Sequence, residues 1–200
     1  MISHTKKIIF IFPPKTGSTS LLTALLPYSV MHTKFDQEFG GFDYFETKKD
    51  QLNNIKAKHK PLRCYEDYMQ KYSLFGVARN PYSRMVSWWQ FKSAHRNFKD
   101  WLVGFGRESQ DSRINNFQQM SYEDYFCHKN ICVNHIIKTE TLQSDFNALC
   151  DIINIPRQQL QIKNKTNHKH YTEYYDDETR EIVAQMHVKD IEYFGYEFGE

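Results

Sequence analysis

Two hundred residues, 40% of them hydrophobic and 25% charged, have the proportions of an ordinary globular chain and exclude a disordered segment or a coiled rod. The length suits a single domain spanning 1–200 with a substantial core. Twenty-six Lys and Arg against 24 Asp and Glu leave a net charge of +2, too balanced to wrap nucleic acid through many phosphates, so local charge must carry any anion binding.

The longest purely apolar run, Ile8 to Phe12, falls far short of the roughly 20 residues of a membrane helix, and no signal-like segment precedes it. No membrane span and a cytoplasmic location are expected. Four cysteines, Cys64, Cys127, Cys132 and Cys150, do not make the dense framework of a small secreted scaffold, and free thiols are expected.

Lys6 to Phe12 is an uninterrupted β-branched and aromatic run, the pattern of a strand buried on both faces of a parallel sheet. Pro13 and Pro14 stop it. After Lys15, Thr16 and Gly17 a helix opens at Ser18 or Thr19, both good N-caps, and continues through Leu21, Leu22, Leu25 and Leu26 to Pro27. Tyr28 to His32 reads as a second short strand, followed by a polar, aromatic stretch, Phe35 to Lys58, with a turn at Gly40-Gly41. Ser73 to Ala78 reads as another buried strand, stopped by Arg79-Asn80-Pro81, and Pro81 suits the first turn of a helix running through Trp88 and Trp89.

His95 to Met120 is polar, contains Gly104 and Gly106, and reads as a loop or short-helix excursion. Ile131 to Lys138 is strand-like. Ser144 can cap a helix in which Phe146, Leu149, Cys150 and Ile153 recur at i, i+3, i+4 and i+7 before Pro156 ends it. A last helix begins near Asp176-Asp177-Glu178 and turns Ile182, Val183, Met186 and Ile191 inward. Strands alternating with helices predict an α/β fold, an open and mostly parallel sheet flanked by helices, with ligands at the carboxyl ends of the strands.

The sharpest chemical feature is Pro14-Lys15-Thr16-Gly17-Ser18-Thr19-Ser20, between a buried strand and a helix. Amides at a helix start lack acceptors, glycine admits close approach, and hydroxyls add donors, so the loop suits a phosphate-like anion, with Lys15 adding a movable positive charge. It is not a Walker A loop, because the lysine precedes the glycine instead of following it. The competing possibility is a turn that only caps a helix. Arg79-Asn80-Pro81-Tyr82-Ser83-Arg84-Met85-Val86-Ser87 follows the other buried strand. Arg79 can make a bidentate contact with a phosphate and Ser87 can hydrogen-bond the same group; the plain alternative has Arg79 and Arg84 as surface charges.

Together these segments resemble the sulfotransferases that use 3′-phosphoadenosine 5′-phosphosulfate (PAPS), particularly the Golgi carbohydrate sulfotransferases and their bacterial relatives. Lys15 to Ser20 match the loop that binds the 5′-phosphosulfate in that family, and Arg79 with Ser87 match the residues that bind the 3′-phosphate. Lys138-Thr139-Glu140-Thr141-Leu142 with Asp145-Phe146 is similar to a later family segment, as are Asn164-Lys165-Thr166 before Tyr171, Tyr175-Asp176 through Asp190-Ile191, and Phe194-Gly195-Tyr196. The resemblance implies a P-loop-like α/β fold and transfer of a sulfuryl group from PAPS to an acceptor hydroxyl, most simply on a saccharide, with no metal and with adenosine 3′,5′-bisphosphate as product. It implies that Lys15 neutralises the leaving oxygen, that Thr16, Gly17, Ser18, Thr19 and Ser20 hold the 5′-phosphate, and that Lys165 and Thr166 lie in a basic flap on the 3′-phosphate side.

The reaction needs a base for the acceptor hydroxyl. His59, in Lys58-His59-Lys60-Pro61, resembles the position of a histidine in related enzymes, and His32 is the rival. Cys127, His128, Cys132 and His135 are all zinc-ligand types, but their spacing matches no familiar zinc finger. Trp88, Trp89 and Trp101 read as core or rim packing. Two other functions stay open at this level, a P-loop nucleotide kinase, which the missing Gly-Lys-Ser/Thr ending argues against, and a non-catalytic nucleotide-binding protein of the same fold.

Overall fold

A computed structural model of the chain describes residues 2–3, 6–25, 59–108, 120–161 and 169–200. The expected strand at Tyr28 to His32, the stretch Phe35 to Lys58, the rival base His32, and Lys165 and Thr166 lie outside them. In chain order the described elements are β1 (Ile2–Ser3), β2 (Ile8–Ile11), α1 (Ser18–Leu25), a 3₁₀ turn (Leu62–Tyr65), β3 (Ser73–Ala78), α2 (Pro81–Lys92), α3 (Phe98–Glu108) and α4 (Tyr122–Phe126). There follow β4 (Cys127–His128), β5 (Ile131–Cys132), β6 (His135–Lys138), α5 (Leu142–Ile152), a second 3₁₀ turn (Tyr171–Tyr174), α6 (Asp177–Met186) and α7 (Val188–Phe194). They form two compact units, Met1–Ala78 with Asp124–Lys163, and Arg79–Glu123 with Asn164–Glu200.

The first unit is α/β, as the alternation of strands and helices requires. Its sheet has the order β1-β2-β3-β6; β2, β3 and β6 run parallel and β1 is an antiparallel edge. Ile8, Phe10 and Phe12 alternate onto one face, where they meet Leu21 and Leu25 of α1 and Phe146, Leu149 and Cys150 of α5. Phe10 stacks on Phe75 of β3 with centroids 5.0 Å apart. Ile9 and Ile11, pointing the other way, are buried too, which is why β2 is apolar without alternation. On that second face Gly76 of β3 leaves room for Phe126 and Val133.

Ser144 does not cap α5. Thr141 holds the cap position, and the Ser144 hydroxyl, inside the first turn, donates to the Thr141 carbonyl at 2.8 Å. Nor is Ile131 to Lys138 one strand. Lys129 and Asn130 both have positive φ, +47° and +63°, the geometry of a tight hairpin turn. That turn folds β5 back on β4, and β6 starts afresh at His135. The hairpin sets Cys127 opposite Cys132, and the two form a disulfide, so the expectation of four free thiols is corrected to two, Cys64 and Cys150. Two sulfurs bonded to each other are not zinc ligands, and among the described residues no group of three or more His, Cys, Asp or Glu could hold a metal ion.

The second unit packs helices on an aromatic core of Trp88, Trp89, Phe98, Trp101 and Phe105 with Val183 of α6. The tryptophans are core, as expected. The stretch after His95, expected as a loop or short-helix excursion, holds an eleven-residue helix. Its polar composition hides Phe98, Trp101, Leu102 and Phe105 at i, i+3, i+4 and i+7, all buried. α6 starts where the acidic run placed it. The Asp176 carboxylate accepts from the Thr179 amide at 2.8 Å and the Thr179 hydroxyl accepts from the Asp176 amide at 2.8 Å, a reciprocal cap. The Thr179 amide and hydroxyl, with Lys99, hold the Asp176 carboxyl well below the usual carboxylate range. No helix among the described residues is long and apolar enough to cross a membrane.

Candidate functional site

Parallel pairing gives β2 and β3 carboxyl ends at the same edge of the sheet. The loop leaving β2 is built around two left-handed residues, Lys15 at φ +68° and Gly17 at φ +80°. A β-carbon at Gly17 would meet Leu142 at 3.5 Å and Thr139 at 3.8 Å, ordinary contacts, so backbone conformation and not space calls for glycine there. The buried Thr16 hydroxyl donates to the Pro13 carbonyl at 2.8 Å and closes the loop on itself. The proton of that hydroxyl is thereby engaged inside the loop.

The loop delivers the chain into α1 at Ser18. The Ser20 amide bonds the Gly17 carbonyl at 3.2 Å, whereas the amides of Ser18 and Thr19 have no acceptor within the helix. Ser18 and Ser20 are buried; Lys15, Gly17 and Thr19 are half-buried. A β-turn-like entry of this kind concentrates N–H donors, a lysine and a helix N-terminus in a few residues, the requirements of an anion site.

Two further residues of the same unit reach this loop. His59 Nδ1 donates to the Phe12 carbonyl, the last residue before the proline pair, at 2.7 Å. A carbonyl only accepts, so Nδ1 carries the proton and the basic lone pair of the neutral ring is on Nε2. Thr139, just past β6, donates its hydroxyl both to the Thr16 carbonyl, at 3.1 Å, and to the Ala78 carbonyl, at 2.9 Å, while its amide also bonds Ala78 at 2.8 Å. One threonine thus ties the β2 loop to the ends of β3 and β6. Asp145 steadies this corner by accepting from the Lys138 amide at 2.7 Å and the Thr141 hydroxyl at 2.8 Å. The segment around Thr139 carried the family resemblance, but no role for the threonine could be read before the contact across 123 residues was seen.

In the second unit, Arg79 opens the chain that follows β3. Its guanidinium donates from Nε and Nη2 to the Ser83 hydroxyl at 2.9 and 2.7 Å. The buried Asn80 side chain caps α2 by accepting from the Tyr82 amide at 3.0 Å and donates to the Glu197 carbonyl at 2.8 Å, so Pro81 occupies the first turn as expected. Ser83 and half-buried Ser87 stand one turn apart on α2. Arg84 is no surface charge: it is 1% exposed, over the Tyr122 ring at 5.2 Å from the centroid. Sequence reasoning missed Ser83 and Tyr122. The hydroxyl four residues after an arginine was a readable signal for the first; Tyr122 gave none.

Comparisons with curated proteins and with solved structures find no match. A family model described as the sulfotransferase family matches residues 1–197. That match covers almost the whole chain, including the loop after β2, Arg79 and the closing helices, and the protein belongs to the sulfotransferase family.

Proposed function

We propose that the protein transfers the sulfuryl group of PAPS to a hydroxyl of a saccharide acceptor. Sulfuryl transfer is the family's chemistry, and the observation that carries the finer reading is the loop at Lys15 and Gly17. A lysine held at φ +68° costs about 1–2 kcal/mol relative to an ordinary conformation. Such strain persists where the surroundings over-determine it, typically at ligand-binding turns.

In this reading the acceptor oxygen attacks sulfur as the bond from sulfur to the 5′-phosphate oxygen breaks, and adenosine 3′,5′-bisphosphate leaves. The attacking and leaving oxygens lie in line, so catalysis is mostly positioning and stabilisation of charge on the leaving phosphate. Lys15 neutralises that oxygen. The amides of Thr16, Gly17, Ser18 and Thr19 hold the 5′-phosphate, with the hydroxyls of Ser18, Thr19 and Ser20 supplementing them. Arg79 and Ser87 take the 3′-phosphate, as do Lys165 and Thr166 by resemblance. His59 Nε2 takes the acceptor proton, and its Nδ1 bond to Phe12 fixes the tautomer that leaves the lone pair there. No step calls for a metal.

A cytoplasmic location drew part of its support from the expectation of free thiols. The Cys127–Cys132 disulfide withdraws that support, because disulfides persist chiefly in oxidising compartments.

The test is transfer of labelled sulfate from PAPS to a library of oligosaccharides. Wild-type protein transfers label, and Lys15→Ala reduces turnover by roughly 10²-fold or more, the usual cost of removing a charge-stabilising group. Magnesium-dependent ATP binding without affinity for adenosine 3′,5′-bisphosphate would replace this reading with the kinase; tight bisphosphate binding with no transfer to any acceptor would leave the non-catalytic one.

A further inference from the structure

Arg79 stands one residue beyond Ala78↔Lys138, the last register pair of β3 with β6. A backbone leaving a sheet needs new partners for its N–H and C=O. Both come from one phenol. Tyr122 Oη accepts from the Arg79 amide at 2.8 Å and donates to the Arg79 carbonyl at 2.8 Å, using both capacities of a tyrosine hydroxyl on one residue. Two bonds to a single residue fix the orientation of its peptide groups, and with them the direction in which the arginine side chain departs.

Tyr122 is itself held. It is 1% exposed, its ring lies under the Arg84 guanidinium, and Phe194 of α7 meets it edge-on at 5.1 Å. Its amide donates at 2.7 Å to Oδ1 of Asp190, a carboxylate that is also 1% exposed. A buried carboxylate is expensive to desolvate unless it is paired and hydrogen-bonded, and this one accepts from the Tyr122 amide through Oδ1 while Oδ2 faces His187 Nδ1 at 3.4 Å. Asp190 therefore fixes the tyrosine, and the tyrosine fixes the backbone of Arg79.

We propose that Tyr122 is the positioning residue for Arg79, held by Asp190, and that it sets how well the protein distinguishes a nucleotide bearing a 3′-phosphate from one without it. The proposal rests on the assignment of Arg79 to the donor's 3′-phosphate. It makes Tyr122 and Asp190 determinants of donor specificity without either touching the donor.

The experiment compares the affinities of adenosine 3′,5′-bisphosphate and adenosine 5′-monophosphate, by calorimetry, for wild type, Arg79→Ala, Tyr122→Phe and the double variant, with Tm measured on each. Tyr122→Phe keeps the packed ring and removes only the hydroxyl. The expected result is a loss of about tenfold in bisphosphate affinity, the scale of one or two hydrogen bonds, with monophosphate affinity unchanged. In the Arg79→Ala background the same substitution adds no further loss. A purely structural role would lower Tm and weaken both nucleotides alike, and that outcome overturns the proposal. So does a Tyr122→Phe preference for the bisphosphate equal to wild type when Arg79→Ala has lost it. If Arg79→Ala binds both nucleotides as wild type does, the 3′-phosphate assignment itself falls and the proposal with it. Asp190→Ala lowers the same preference and Asp190→Asn, which keeps the acceptor oxygen, retains it; an unchanged preference in Asp190→Ala overturns the part given to Asp190.

Discussion

Replacing Gly76 by alanine tests whether the hairpin of β4 and β5 is packed onto β3 as tightly as the contacts require. A β-carbon there would meet Phe126 Cε1 and Cζ at 2.9 Å and Val133 Cγ2 at 3.0 Å, against the roughly 3.5–4.0 Å of relaxed carbon contacts. Both neighbours must retreat by about 0.5–1 Å. Phe126 precedes Cys127, Val133 follows Cys132, and the disulfide joining the two cysteines limits how far the two backbones can separate. Overpacking of this kind costs about 1–3 kcal/mol, while losing a strand glycine returns about 0.5–1 kcal/mol of backbone entropy. The difference runs from about 0 to about 2.5 kcal/mol of destabilisation, and its midpoint of about 1 kcal/mol corresponds to a Tm lower by about 2–4 °C for a chain of this size. Thermal unfolding followed by circular dichroism reads it, and Phe126→Leu should cost less in the Gly76→Ala background than in wild type. A Gly76→Ala protein more stable than wild type, or additive effects in the double variant, would refute the packing argument.

Thr139→Val keeps the shape of the side chain and removes the donor shared by Thr16 and Ala78; it should cost about 1–2 kcal/mol in urea unfolding and lower sulfuryl transfer, whereas unchanged activity would show that the β2 loop holds its form without β6. Gly17→Ala has room at its neighbours but not at φ +80°, so a stability loss of about 1–2 kcal/mol is expected in the same assay, and an unaltered unfolding midpoint would count against the left-handed turn.

Local features were legible because each is decided by a few adjacent residues. The strand expected over Lys6 to Phe12, of which Ile8–Ile11 forms β2, the Asn80-Pro81 helix entry and the helix start near Asp176 to Glu178 are all set within a turn or two of chain, and the structure has an element at each. α3 was obscured because charged residues lie between its buried aromatics, which shows how composition misleads where periodicity would have decided. The hairpin was missed for a different reason. Its turn, Lys129-Asn130, lacks the usual glycine, and only positive φ at both residues reveals it. The candidate site residues divide along the same line. Lys15, Gly17 and Arg79 announce themselves by type and spacing beside a strand. Thr139 and Tyr122 act through partners 123 and 43 residues away, and no local rule reads a contact of that span.

The buried His187 makes the second unit sensitive to acid. Burial pushes its imidazole below the ordinary histidine value and Arg84 pushes it further, while Asp190, with Oδ2 3.4 Å from Nδ1, opposes both. Nε2 has no hydrogen-bond partner among the described residues. In the unfolded chain the same ring titrates near about 6.5. Between the lowered folded value and about 6.5 the unfolded state binds more protons, so stability rises with pH; the contribution is complete above about 6.5 and is lost as pH falls through that window, at no more than about 1.4 kcal/mol per pH unit. His187 also joins α6 to α7, the helix that carries Asp190, so protonation loads the same element that holds Tyr122. Tm should therefore fall between pH 7.5 and pH 5.0 more steeply in wild type than in His187→Asn. Parallel Tm profiles for the two proteins, or a steeper fall in the variant, would mean that His187 does not titrate against folding.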